Sequence, residues 1–201
     1  MKKVMLLTAL VSVIVAAEAQ ENTQAVSFGV KAGLNLANLH SKFMDETESA
    51  DFKAGLHAGV FARFSIAQAI AFQPELIFSM EGAKESEDDE DTKLNLDYIQ
   101  LPLMLQFGSA SGFYAEVGPG LGYLISAKAK TEILGEEIEE DIKDDMEKLN
   151  ITGNVGVGYA MQNGFGVGVR YSHGFSNLLK DGDEDVKMQT RTIQVSLFKR
   201  F

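Results

Sequence analysis

The sequence predicts an all-β protein built as one up-and-down barrel of eight antiparallel strands. Three observations carry that expectation. Eight segments place an apolar residue at every second position, their connections alternate strictly between short and long, and the chain opens on an export signal. A period of two is what a strand with two unlike faces requires.

The export signal comes first. Lys2 and Lys3 precede an apolar run from Val4 to Val15, and Ala17-Glu18-Ala19 follows as an A-x-A cleavage site. The run is too short to cross a bilayer as a helix, so residues 1–19 are expected to be a signal peptide. Cleavage after Ala19 leaves residues 20–201 as one domain. The 201-residue chain has no cysteine and a formal net charge of −11, and losing Lys2, Lys3 and Glu18 takes it to −12. A chain this acidic repels phosphates, which argues against a nucleic-acid partner. Without cysteine it has neither disulfides nor thiolate metal sites. With 45% hydrophobic residues it is too apolar for disorder.

Each strand follows in order. In the first, Phe28, Val30, Ala32, Leu34 and Leu36 alternate with Gly29, Lys31, Gly33 and Asn35. The second sets Ala54, Leu56, Ala58, Val60, Ala62 and Phe64 against Gly55, His57, Gly59, Phe61 and Arg63. The third sets Ile70, Phe72, Pro74, Leu76, Phe78 and Met80 against Ala71, Gln73, Glu75, Ile77 and Ser79. In the fourth, Ile99, Leu101, Leu103, Leu105 and Phe107 oppose Gln100, Pro102, Met104 and Gln106. The fifth runs from Phe113 to Ser126, with Tyr114, Glu116 and three glycines in the minor set. The sixth opposes Ile151, Val155, Val157, Tyr159 and Met161 to Thr152, Asn154, Gly156, Gly158 and Ala160. The seventh opposes Phe165, Val167, Val169 and Tyr171 to Gly166, Gly168, Arg170 and Ser172. The last opposes Ile193, Val195, Leu197 and Phe201 to Thr192, Gln194, Ser196, Phe198 and Arg200, with Lys199 interrupting the apolar set.

Ser65-Ile66-Ala67-Gln68, Gly108 to Gly112 and Gln162-Asn163-Gly164 are the tight connections, and the Asn-Gly pair predicts a type I′ hairpin. The others, at 40–50, 83–93, 128–149 and 177–187, are longer and polar. All long connections therefore fall at one end, as in outer-membrane barrels with short periplasmic turns and long extracellular loops.

The two faces decide between a membrane barrel and a soluble carrier. A soluble barrel turns its apolar set inward and its charges outward. Here the minor set is small, amide-rich and sparse in charge, which suits the crowded interior of an eight-stranded barrel. Lys31, Arg63, Glu75, Glu116 and Arg170 are then expected inside as a paired ionic network, because an unpaired buried charge costs several kcal/mol. The bulky set faces outer-membrane lipid. Phe201 ends the last strand, and a terminal aromatic there resembles the signal read by the barrel assembly machinery.

Motifs along the whole of residues 20–201 resemble the small outer-membrane β-barrel family of Bacteroidota, the porin-like or PorT-like group. They are Phe28-Gly29-Val30-Lys31-Ala32-Gly33-Leu34-Asn35, Gly55-Leu56-His57-Ala58-Gly59-Val60-Phe61, Phe72-Gln73-Pro74-Glu75-Leu76, Tyr98-Ile99-Gln100-Leu101-Pro102-Leu103 and Val117-Gly118-Pro119-Gly120. The resemblance implies an outer-membrane barrel domain. One branch of that family is implicated in type IX protein secretion.

No cofactor, metal site or catalytic residue is expected. His40, His57 and His173 lack partners at metal-ligand spacing. Ser172 beside His173 has no nucleophile-elbow context, so no enzyme is expected, although palmitoyl-transferring barrels of this size exist. Gly118-Pro119-Gly120-x-Gly122 sits in a strand with no helix after it, unlike a phosphate loop. Glu87 to Asp91 and Asp181 to Asp185 are oxygen-rich but lack the ordered spacing of a calcium loop. Pro74 and Pro102 are expected to mark bulges or irregular pairing. Leu134, Ile138, Ile142 and Met146 have i, i+4 spacing, which fits either a short amphipathic helix or strand extensions. The leading functional reading is a filled barrel presenting acidic loops. A narrow porin, a secretion component and a soluble carrier are the alternatives.

Overall fold

A computed structural model describes residues 26–43, 46–49, 51–87, 90–133, 136–180 and 186–201. The expected signal peptide and the acidic stretches 88–89 and 181–185 lie outside these. Ten strands form: β1 (Val26–Phe43), β2 (Glu46–Ser49), β3 (Asp51–Ala67), β4 (Ile70–Glu87), β5 (Glu90–Gly108), β6 (Phe113–Ile133), β7 (Glu136–Asp141), β8 (Leu149–Ala160), β9 (Phe165–Gly174) and β10 (Val186–Arg200). Eight of them make the wall, in the order β1-β3-β4-β5-β6-β8-β9-β10, and β10 pairs back onto β1. Every pairing is antiparallel, and the β10–β1 pairing closes the eight-stranded wall on itself. The short β2 and β7 pair with the far ends of β1 and β6.

Register fixes the shape. Moving from Leu36 through its partners Ile193, Tyr171, Val155, Val117, Leu105, Phe72 and Phe64 returns to β1 at Val26, ten residues lower. With eight strands and spacings of about 3.3 Å and 4.8 Å, that stagger tilts the strands by about 40°. The interior is then only wide enough for side chains.

The bulky set points outward along the whole wall. Leu197 is 68% exposed while its neighbour Ser196 is 5% exposed. Such an apolar exterior is stable only against lipid. Exposed Phe107, Phe113, Phe165 and Phe201 ring the tight-turn end, and Lys199 there lies over the Phe165 ring with its ammonium on the Asn163 carbonyl. Toward the other end, exposed Phe52, Tyr123, Tyr171 and Phe175 form a second aromatic set.

Two details differ from expectation. The Asn-Gly hairpin is not a two-residue turn. Gly164 N–H donates to the Met161 carbonyl and Met161 N–H to that of Phe165, enclosing the three residues 162–164, with Gly164 at φ 83°. Ser109 and Phe113 close the same kind of loop around Gly112 at φ 96°. A type I turn followed by a left-handed glycine matches strand twist as well as a primed turn does. The long polar connections, moreover, are largely strand: β4 and β5 pair as far as Glu87 with Glu90, and β6 and β7 pair as far as Ile133 with Glu136. About ten tilted residues cross the apolar layer, whereas β5 has 19 and β6 has 21. Beyond the lipid the inner face of these strands turns apolar, with Ala83, Leu96 and Ala127 buried, so the alternation of bulky with small polar residues disappears while the ladder persists. On this extension hydrogen bonds from Lys128 and Lys130 hold the Glu139 carboxyl down to about 2.

Pro74 and Pro102 mark the irregular pairing expected of them without shifting register: Pro74 has no partner on β3 and Pro102 none on β4, and the ladders resume in the same register on either side. The shifts lie elsewhere, between Phe52 and His57, between Ser65 and Ala67, and at Asp97–Tyr98. Gly82, at φ 131°, faces the first of these.

The lumen as candidate functional site

Four layers fill the lumen. Nearest the tight turns, three inward aromatics each lie across a glycine on the neighbouring strand. Phe61 faces Gly29, Tyr114 faces Gly158 and Phe198 faces Gly166, each pair directly opposite in register. A Cβ on any of these glycines would overlap the facing ring. The glycines thus supply the room that a narrow barrel lacks, and the rings meet edge to face, Phe198 lying 6.1 Å from Phe61 and 6.2 Å from Tyr114.

The ionic layer lies above. Glu75, whose side chain is fully buried, accepts from Lys31 Nζ at 3.1 Å and from Arg170 Nη1 at 2.8 Å. Gln73 Nε2 also donates to Glu75, at 2.7 Å. Arg170 reaches a second carboxylate, with Nε 2.8 Å from Glu116 Oε1. β1, β4, β6 and β9 are thereby joined across the lumen by two carboxylates and two cations. Four of the five residues expected in the network meet directly. Arg63 does not: it donates to Gln106 Oε1 at 3.2 Å and Ser65 Oγ at 3.0 Å, and only Gln106 goes on to Glu116. It lies closer to the tight turns than the carboxylates, with Phe61 between it and the ionic layer on the inward face of β3.

The third layer is amide and hydroxyl. His57 bonds Asn35 Oδ1 through Nδ1 and Ser196 Oγ through Nε2, both at 2.8 Å. Asn35 Nδ2 donates to Ser79 Oγ at 2.9 Å, Ser79 to Glu81 Oε1 at 3.0 Å, and Gln100 Nε2 to the same oxygen at 2.7 Å. Glu81 is a buried lumen acid that sequence reasoning missed, although the alternation of β4 needs only one more step beyond Ser79 to reach it. Ser172 is buried and His173 partly exposed. Adjacent strand residues point to opposite faces, so these two do not form a nucleophile–base pair. His173 instead packs against Tyr171 and Phe175.

The fourth layer is an apolar cap at the mouth opposite the tight turns. Leu39, Leu96, Tyr98, Leu124 and Ala127 point in from the wall and close around Met146 and Leu178. The segments carrying these two cross the mouth and bond to each other: Glu147 N–H donates to the Leu178 carbonyl at 2.8 Å and Lys180 N–H to that of Asp145 at 3.2 Å. Leu178 is fully buried, which contributes about 1.5–3 kcal/mol. The i, i+4 series divides here. Ile138 is exposed on β7, a single 3-10 turn follows at Lys143–Asp145, and Ile142 and Met146 join the cap. Leu134 lies outside the described residues.

A closed wall that is apolar outside and polar inside, with aromatics near both rims, defines a transmembrane β-barrel of the outer-membrane kind. The family profile for the outer membrane protein beta-barrel domain matches residues 18–180, and the chain belongs to that family. Among solved structures, it is similar to Neisserial surface protein A (TM-score 0.55, 15% identity, covering 88% of this chain and 99% of that one). It is also similar to Ail, the attachment invasion locus protein of Yersinia pestis, in complex with the heparin analogue sucrose octasulfate (TM-score 0.48, 17% identity, 88% and 99% covered). OprG from Pseudomonas aeruginosa gives a TM-score of 0.44 at 15% identity, with 90% and 98% covered. The likeness to Neisserial surface protein A is one of fold. No curated protein matches by sequence.

Proposed function

We propose that this barrel is a sealed scaffold in the outer membrane that holds acidic β-hairpins outside the cell as an interaction surface, and that it is not a pore. The apolar cap carries this reading. Water and ions crossing the lumen would have to displace Leu178 and Met146, then pass the Lys31–Glu75–Arg170–Glu116 layer, whose groups already satisfy one another. The extended hairpins β4–β5 and β6–β7 support the interaction part, since strand pairing well beyond the lipid layer is a rigid way to present charge. The PorT-like motifs support a source in Bacteroidota and leave a secretion partner as a second reading. Phe201, exposed at the end of the last strand, is suited to recognition by the assembly machinery.

Planar-bilayer recording tests the central part. Protein inserted in heat-modifiable form is expected to give no resolved conductance steps. Stable, reproducible steps would overturn the sealed reading in favour of a narrow porin.

A further inference from the structure

The lumen is capped at one end and open at the other. Below the ionic layer a cavity of about 500 Å³ opens between the tight turns, within the range of small-ligand pockets. Its lining has a composition unlike the rest of this acidic chain. Lys31, Arg63 and Arg200 all reach it, and none of the described residues lining it is acidic. Two of the three cations are engaged, Lys31 by Glu75 and Arg63 by Gln106 and Ser65. The Arg200 side chain has no hydrogen-bond or ion-pair partner among the described residues, while its backbone N–H is held by the Gly164 carbonyl. Against these cations stands the aromatic wall of Phe61, Tyr114 and Phe198.

We propose that this cavity binds a small amphipathic anion, its carboxylate or phosphate held by the Arg63 and Arg200 guanidiniums and its apolar body laid against Phe198 and Tyr114. Two planar guanidiniums suit a multidentate oxyanion, and charge-assisted bonds of this kind are among the strongest available to a ligand. The aromatic faces add contact area that a bare inorganic ion cannot use. The ligand reaches the site from the periplasmic side, because the cap closes the other mouth. Lipid headgroups do not account for the arginines, which face the lumen and not the bilayer.

Calorimetric titration of the protein in phosphatidylcholine nanodiscs tests this, with phenyl phosphate and inorganic phosphate as probes. Phenyl phosphate is expected to bind saturably at one site, at least ten-fold tighter than inorganic phosphate. The Arg63→Gln, Arg200→Gln double variant should weaken it at least ten-fold while keeping the unboiled gel mobility of the folded barrel. Arg200→Gln alone removes no internal hydrogen bond or ion pair among the described residues, so it keeps the test valid if the double variant fails to assemble, and it should also weaken binding. Phe198→Leu should weaken phenyl phosphate and leave inorganic phosphate unchanged. Absence of saturable binding, equal affinity for the two probes, or undiminished affinity in the folded arginine variants would overturn the proposal.

Discussion

Replacing Glu75 by alanine is expected to destabilise the barrel by about 3–5 kcal/mol, the range for removing one partner of a buried ionic cluster. The carboxylate is fully buried and receives Lys31, Arg170 and Gln73 at once. Its loss leaves the Lys31 ammonium with no carboxylate in contact and Arg170 with Glu116 alone. Urea titration of vesicle-inserted protein, read by the boiled and unboiled gel forms, measures the effect. A companion variant separates charge from packing. Glu75→Leu combined with Lys31→Met removes the carboxylate together with the ammonium it would otherwise orphan and keeps Arg170 on Glu116, so it should regain most of the loss. If Glu75→Ala were as stable as wild type, the ionic layer would not be holding the lumen together.

Gly33→Val should have an effect of similar size by a different route. Gly33 sits opposite His57 on β3 and Ser196 on β10, at the seam where the last strand closes onto the first. A Cβ there would overlap the Val195 carbonyl oxygen and stand 2.8 Å from His57 Cε1. The His57 ring is itself held by bonds to Asn35 and Ser196, so it cannot swing aside without breaking them. Overpacking usually costs about 1–3 kcal/mol, and here backbone must move, so about 3 kcal/mol or failed closure is expected. The readout is the fraction of protein reaching the compact unboiled form. Valine at exposed Ile66 on the turn side serves as a control that should leave that fraction unchanged.

Much of this was legible in the sequence, for a specific reason. Within the lipid layer each residue has one of two environments, and a period-two pattern records which. That is why outward Val155 and inward Asn154 could be told apart. Lys31, Glu75, Glu116 and Arg170 could also be brought together, since charges on an inward face have few partners to choose from. Arg63 shares their face, but position along a strand depends on the ten-residue stagger of the barrel, which one strand does not reveal. The pairing of Phe61, Tyr114 and Phe198 with individual glycines depends on the same register. Beyond the lipid the code lapses. In β5, Leu94, Leu96 and Tyr98 are apolar on the phase that is polar further along, because there the inside of the barrel is the cap. Met146 and Leu178 belong to turns, and nothing local indicates that two distant segments fold across one mouth.

In this barrel the bulky apolar set faces lipid and the small polar set faces the lumen. The chain has no tryptophan, so one introduced at Phe78 or at Phe61 is a clean reporter. Phe78 points outward at 38% exposed and Phe61 inward at 5%. Each single variant would be folded into vesicles of brominated phospholipid and its fluorescence compared with that in ordinary lipid. Strong quenching of Phe78→Trp with little quenching of Phe61→Trp is the result expected. Quenching of Phe61→Trp alone, or of neither while the protein stays in solution, would contradict the claim and turn the barrel inside out.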